Sequence, residues 1–311
     1  MAADIIQVFA PATVANLGPG FDCLAVALEA PGDTVTARRV STPGARLLGV
    51  RGDQPELPPV SPENTAAVAA RLLLELAGAR FGVELELDKG LPLGSGLGSS
   101  GASAVAAACA VNRLLDEPLP LAALVPVCAR AEAAACGEAI ADNVAAALLG
   151  GIALVRAPTE VLRLRTCLDL HLAVVSPRQR LDTRRVRAAL PATVPLAEVV
   201  RHAVQLASLV HALTVGDADL LARALVDRLI EPCRAALIPG FPAAQRAALA
   251  AGALGSSISG AGPAVFALAL GRAAARASGA AMQAAFEAET GARPALWLSG
   301  VAAPGAREVT G

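Results

Sequence analysis

Three glycines at alternate positions, Gly94, Gly96 and Gly98, followed at once by Ser99 and Ser100, are the residues whose type and spacing point most directly to chemistry. They stand in Leu91–Asn112, LPLGSGLGSSGASAVAAACAVN, where a glycine- and serine-rich segment runs straight into strong helix formers. Glycine adopts backbone angles other residues resist, and without a side chain it lets a ligand approach the main chain. Ser99 and Ser100 fall where the helix begins, so unpaired N–H groups, the positive end of the helix dipole and two hydroxyls would converge on a phosphate. The spacing is not the dinucleotide fingerprint, whose third glycine comes three residues after the second, nor the P-loop, which places a lysine after its last glycine. A flexible Gly/Ser connector is the competing reading, and the unbroken run into a helix argues against it.

Other polar groups stand out less sharply. Asn16 and Asp22 flank Gly18-Pro19-Gly20, and a tight turn capped by Asx side chains is the ordinary reading of them. Ser61 and Asn64 suit the capping of a helix running through Leu76, with Pro62 in its first turn. Glu132, near the end of a helix over Leu119–Ala135, reads by itself as a solvated surface residue. Asp142-Asn143 precedes a short apolar segment and the Gly150-Gly151 turn. Four arginines between Arg180 and Arg187 read as a solvated helix face.

These residues need a scaffold, and the pattern supplies one. Strands are expected at Ile5–Phe9, Asp33–Val40, Val83–Leu87, Ile152–Arg156, Leu168–Ser176 and Ala295–Ser299, with a loop over Arg46–Pro59. Helices are expected over Pro195–Val215, Asp217–Ile230, Pro242–Ala251 and Arg272–Thr290. GSSISGAGPAVFALAL is a second glycine-rich turn entering a buried strand. The 311 residues favour two domains, and a boundary is expected near Pro158, giving 1–158 and 159–311. With 55% hydrophobic but only 2% aromatic residues, alanine, leucine and valine must fill the core of a helix-rich mixed fold.

Net charge is −1 and the 26 basic residues form no stripe, which speaks against nucleic acid and anionic membranes as partners. Ala253–Leu270 is uncharged over eighteen residues, but its Gly, Ser and Pro content argues against a membrane span. Cys23, Cys109, Cys128, Cys136, Cys167 and Cys233 show no CxxC spacing, and the three histidines form no HExxH pair. With no signal peptide in the opening residues, the cysteines are expected to be reduced cytoplasmic thiols packed as small apolar side chains.

PATVANLGPGFD (Pro11–Asp22), LPLGSGLGSSGAS (Leu91–Ser103) and SISGAGPAVFAL (Ser257–Leu268), in this order, resemble the GHMP family of small-molecule kinases. Finer matches, ANLGPGFD, DNVAAALLGG, TRRVRAALP and EPCRAALIPGF, are similar to its homoserine kinase branch. The resemblance implies an α+β fold of two domains, ribosomal protein S5 domain 2-like at the amino end and ferredoxin-like at the carboxyl end. It implies ATP and Mg²⁺ as cofactors, L-homoserine as the small-molecule substrate, and a role in threonine biosynthesis. Family members are often dimers, so a homodimer is an expectation.

By the same resemblance, ATP would lie over Pro92, Leu93, Gly94, Ser95, Gly96, Leu97, Gly98, Ser99 and Ser100, with Asn64 at the adenine and Ser100 and Glu132 holding the metal. The amino acid acceptor would meet Asn16 and Asp22 near its hydroxyl and amino groups, and Arg187 and Arg234 at its carboxylate, where guanidinium forks bind a planar carboxylate bidentately. Mevalonate kinases place a proposed base, Asp, seven residues before the paired glycines; that position is Asn143, which cannot take a proton, so Asp142 is the carboxylate to test and positioning the leading account. The chain departs from homoserine kinases at Ile140 and Ile230, where histidine is common, and at Ala25, where glycine is usual. Another GHMP kinase with a different small alcohol, and a nucleotide-binding relative without catalysis, are the alternatives.

Overall fold

Glycine and proline punctuate a chain that is otherwise rich in apolar runs, and the backbone turns where they stand. The computed structural model describes residues 4–309 except 53, 55–57 and 138, and the side chains at 134–136 fall outside the described set. Part of the loop expected over Arg46–Pro59 and the side chain of Cys136 therefore lie outside the described residues.

The amino-terminal half runs β1 (Ile5–Asn16), β2 (Gly20–Val40), β3 (Gly44–Arg51), α1 (Thr65–Leu76), β4 (Gly82–Asp88), α2 (Ser99–Leu114), α3 (Leu121–Cys136), α4 (Asp142–Leu149), β5 (Ile152–Ala157) and β6 (Glu160–Leu164). The chain continues with β7 (Leu170–Ser176), α5 (Thr183–Ala188), α6 (Leu196–Val215), α7 (Ala218–Ala224), α8 (Glu231–Ala235), α9 (Phe241–Ala250), β8 (Gly255–Ile258), β9 (Val265–Leu270), α10 (Gly271–Thr290), β10 (Ala295–Gly300) and β11 (Arg307–Glu308).

Two sheets result. The first has the order β11-β1-β2-β4-β3, with β5 paired to β2 and β6 to β5; the second has the order β10-β7-β9-β8. Every neighbouring pair in the second sheet is antiparallel, and its βαββαβ sequence with α9 and α10 packed on it is a ferredoxin-like arrangement. Alanine makes the first core possible. Helix α2 buries every residue from Gly101 to Asn112, and with so little side chain it lies close against β1, β2 and three neighbouring helices.

Several expectations are corrected. Arg46–Pro59 is not all loop, because β3 pairs in parallel with β4. The boundary near Pro158 falls inside a hairpin: Ala157 faces Glu160 across the β5–β6 turn, so a proline that reads as a linker is a turn within the first sheet. Strand β11 also returns to that sheet, beside β1. The helix expected over Asp217–Ile230 ends at Ala224, since Asp227 takes the N–H groups of Leu229, Ile230 and Glu231 and starts α8 instead. Cys109 and Cys128 are buried thiols, and burial pushes Cys109 up to about 12; Cys167, by contrast, is exposed. No described helix is long and apolar enough to cross a membrane.

One buried ion pair joins the two strands and the helix that frame the glycine-rich loop. The Lys89 ammonium, 1% exposed, donates to the Asp33 carboxylate, to Ser99 O (2.7 Å) and to Ser103 Oγ (2.9 Å). Asp33 in turn accepts the N–H groups of Gly90 and Leu91 at 3.2 Å each and the Ser103 hydroxyl at 2.6 Å. Removing one partner would leave a buried charge uncompensated. Lys89→Ala is expected to lower the unfolding free energy by about 3–5 kcal/mol, and Lys89→Met with Asp33→Leu to lose much less than the two single changes together. Urea denaturation measures both; a loss below about 1 kcal/mol for the single change would deny the pair this role.

Candidate active site

The glycine-rich loop is built by interlocking, and each of its glycines is required by a different neighbour. Gly94, Gly96 and Gly98 have φ of 61°, 79° and 65°, the left-handed region expected of them. A β-carbon on Gly94 would lie 2.6 Å from Cγ of Arg180, one on Gly96 2.5 Å from Ser259 O, and one on Gly98 2.2 Å from Thr13 Oγ1. The missing side chains thus make room for other protein segments. Ser259 Oγ donates to Gly96 O (2.7 Å), Ala264 N to Ser95 O (3.0 Å) and Thr13 N to Leu97 O (3.1 Å). The three motifs, far apart in the chain, meet here.

Gly98 is the N-cap of α2 and offers no side chain, so the first-turn amides of Ser99, Ser100 and Gly101 have no capping oxygen. Ser99 and Ser100 border a cleft of about 410 Å³. Asn64, Leu93, Gly94, Ser95, Gly96, Gly98, Ser99 and Ser100 all line it. Pro92 and Leu97 do not: Pro92 accepts the Ser95 hydroxyl through its carbonyl, and Leu97 is fully buried in the core. Asn64, not Ser61, is the N-cap of α1; its Oδ1 accepts Ala66 N–H at 3.0 Å, so its side chain caps and faces the cleft at once.

Ser100 and Glu132 come together as the resemblance implies. The Ser100 hydroxyl hydrogen-bonds to the Glu132 carboxylate, and both residues line the cleft. Burial pushes Glu132 up from the usual carboxylate range, while Ser100 and Lys89 hold it down. A hydroxyl and a carboxylate suit Mg²⁺, which takes one or two protein oxygens and keeps several waters. The donor set therefore fits such an ion. A solvated Glu132 is excluded, since it is only 6% exposed.

Asn143 stands at the other wall, with both ends of its amide fixed. Its Oδ1 accepts the Thr13 hydroxyl at 2.5 Å and its Nδ2 donates to Asp142 Oδ1 at 3.1 Å. Asp142 does not line the cleft. It is buried behind Asn143, also accepts the Asn143 N–H at 2.6 Å, and is pushed up to about 7 by burial, with the Asp22 and Glu132 charges adding to the rise and the Asn143 N–H opposing it.

The residues expected to meet the acceptor form a separate cluster behind Gly260, which borders the cleft. Asn16 Nδ2 (3.3 Å) and Arg234 donate to Gly260 O, and Asn16 Oδ1 accepts Asp22 N–H at 3.3 Å. Arg187 is ion-paired with Asp22. The Phe21 ring sits near both guanidinium groups, 5.3 Å from Arg187 and 5.1 Å from Arg234. Arg234 is 4% exposed, its Nε makes no hydrogen bond among the described residues, and burial works against its charge while Asp22 supports it. Asn16, Leu17 and Asp22 all hold positive φ, a cost of about 1–3 kcal/mol each that clusters at functional sites.

Sequence reasoning missed five contributors. Phe21 and Thr13 lie inside a motif already quoted, with no local signal for their roles. Lys89 carried one, as the only lysine among 26 basic residues. Arg180 and Arg184, expected on a solvated face, line the cleft. Ile140 lines it too, so the departure from histidine falls in the site itself.

The chain matches the family described as GHMP kinases N terminal domain over residues 64–151 and that described as GHMP kinases C terminal over residues 209–288. The homoserine kinase of Xylella fastidiosa is 43% identical over 98% of this chain and 94% of its own. That of Chlorobaculum tepidum is 39% identical over 97% of each. A crystal structure of homoserine kinase from Cytophaga hutchinsonii has a TM-score of 0.94 at 39% identity, covering 99% of this chain and 98% of its own. L. major mevalonate kinase, with a TM-score of 0.70 at 17% identity, shares the fold. Likeness of this extent, along the whole chain and through all three interlocked motifs, makes the protein a member of the GHMP kinase family, similar in particular to its homoserine kinases.

Proposed function

We propose that this protein transfers the terminal phosphoryl group of ATP to the hydroxyl of L-homoserine, giving O-phospho-L-homoserine, a step that feeds threonine synthesis. The observation that carries the reading is the acceptor cluster. Two guanidinium groups and the Asp22 carboxylate, set around Phe21 beside the phosphate cleft, match a zwitterion: carboxylate on Arg187 and Arg234, ammonium on Asp22. A neutral sugar alcohol would leave Arg234 buried without an anion.

The loop amides and the first turn of α2 bind the nucleotide phosphates, and Ser100 with Glu132 would hold Mg²⁺, which neutralises phosphate charge when bound. Asn143, clamped by Thr13 and Asp142, positions the acceptor. Its amide takes no proton, so the hydroxyl proton leaves to a phosphate oxygen or to solvent. Cytoplasmic location accords with reduced thiols. A homodimer would cover Leu196, Val199, Val200 and Val204, which are exposed on the first half of α6, where nothing is buried before Leu209.

ADP release is expected with L-homoserine. No turnover with it, alongside robust turnover with another alcohol, would transfer the protein to a different acceptor and make Ile140 the reason. Ser100→Ala and Glu132→Ala are expected to lower kcat by on the order of 100-fold or more, with little change in the acceptor KM. Arg234→Ala is expected chiefly to raise the L-homoserine KM by about 30- to 1000-fold, the cost of leaving a buried charge pair half made.

Asp142 gives a pH test. Its folded value of about 7 lies above its ordinary 3.8, so the native state keeps a proton that the unfolded state has released. Its contribution to stability is full below pH 3.8, falls as pH rises toward about 7, and is level beyond. Asp142→Asn is expected to remove that slope in pH-dependent denaturation while kcat stays within about tenfold. A drop of about 10²–10⁴ would instead identify this carboxylate as the proton acceptor.

A further inference from the structure

Aromatic rings are scarce in this chain: six phenylalanines, one tryptophan and no tyrosine among 311 residues. Phe241, Phe266 and Phe286 sit in the core, at 2% exposure or less. Phe9 and Phe81 each lie beneath one arginine, Arg307 at 4.4 Å and Arg39 at 3.8 Å from the ring centre. Among the described residues Phe21 alone lies beneath two, Arg187 at 5.3 Å and Arg234 at 5.1 Å. Two guanidinium groups drawn to one ring repel each other. Burial works first against the Arg234 charge and Arg187 adds to it, while Asp22 is the group that supports that charge most.

The backbone around the ring fixes this arrangement from both sides. Phe21 stands at the start of β2, just after Gly20, which pairs with Asn16 in the β1–β2 ladder. Asp22, the residue that follows, is ion-paired with Arg187. Asn16 Nδ2 donates to Gly260 O at 3.3 Å, and Arg234 donates to the same oxygen. One cation is thus tied to the residue after the ring, and the other, through a shared carbonyl, to the residue across the turn from it. Arg187 belongs to α5 and Arg234 to α8, so three separate segments bring their side chains to one point.

We infer that Phe21 is a positioning residue for the acceptor's carboxylate: its ring gathers Arg187 and Arg234 and holds them ready before the substrate arrives. The inference rests on the reading of these arginines as carboxylate ligands and adds the group that holds them. An aromatic face attracts a cation through its quadrupole and takes up no N–H donor, so the guanidinium edges stay available for carboxylate oxygens. Side chains already gathered lose less freedom on binding, and an incoming carboxylate then relieves the repulsion between them. An aliphatic side chain of similar size would fill the same space without attracting either group.

The test is steady-state kinetics with L-homoserine for the wild type, Phe21→Leu, and protein carrying 4-fluoro-, 3,5-difluoro- or 3,4,5-trifluorophenylalanine at position 21. Fluorine drains the negative face of the ring and leaves its size nearly unchanged, so these three keep the packing and weaken the attraction for cations. Phe21→Leu is expected to raise the L-homoserine KM by about 5- to 30-fold, with kcat within about threefold and the ATP KM within about twofold, and the KM is expected to climb with each added fluorine. A KM unmoved by fluorination would overturn the inference, since the ring would then act by shape alone, and so would a rise in the ATP KM equal to that for L-homoserine. Should Phe21→Leu fail to fold, the fluorinated series decides. Absence of turnover with L-homoserine in the wild type would instead remove the acceptor reading, and the inference with it.

Discussion

The Lys89 side chain is almost wholly shielded from water, and its three ammonium donors are met by a carboxylate, a main-chain carbonyl and a hydroxyl. Everything around the glycine-rich loop hangs from this arrangement. Asp33 stands on β2, Lys89 follows β4, and Ser99 and Ser103 begin α2, so one buried charge pair fixes the strand edge, the start of the loop and the helix terminus relative to one another. An ion pair of this kind gains little net stability over apolar packing, because desolvation offsets most of the attraction. Its effect is directional. An ammonium with three rotatable donors fits a close tetrahedral set of acceptors that a planar guanidinium would not, which accounts for a lysine in a chain whose other strong bases are all arginines.

Around that anchor the three motifs lock by close contact. The glycines of the loop are needed because Arg180, Ser259 and Thr13 come within bonding range of where their side chains would be. A loop held on three sides presents its amides in a fixed direction, and preorganised dipoles cost no rearrangement when charge develops. The strained residues Asn16, Leu17 and Asp22 follow the same logic in the neighbouring cluster, where hydrogen bonds through Gly260 O connect the strained turn to Arg234 and to the third motif.

The cleft and the neighbouring cluster have different electrostatic settings. Beside the glycine-rich loop, Arg180 and Arg184 line the cleft together with Glu132; in the cluster, Arg187 is ion-paired with Asp22, and burial works against the charge of Arg234 while Asp22 supports it. Between the two stands Asn143, its orientation set by Thr13 in front and Asp142 behind. A carboxylate one residue away from the cleft is in this way turned into a support for an amide.

Local pattern alone yielded the phosphate loop, most of the strands and the long helices, because glycine spacing, apolar periodicity and helix formers act over a few residues. Resemblance added Ser100 with Glu132, and Arg187 with Arg234. What neither could provide came from contacts between distant segments. Pro158 reads as a linker and is a hairpin turn because β6 finds β5; Asp217–Ile230 reads as one helix and is broken because Asp227 captures three amides of the next. Four arginines within eight residues look alike in sequence, yet one is ion-paired with Asp22, and docking against Gly94 brings another to the cleft. Sequence by itself determined which backbone could bind phosphate; only the tertiary structure decided which side chains surround it, since charge and hydrogen bonding act across space and are indifferent to separation along the chain.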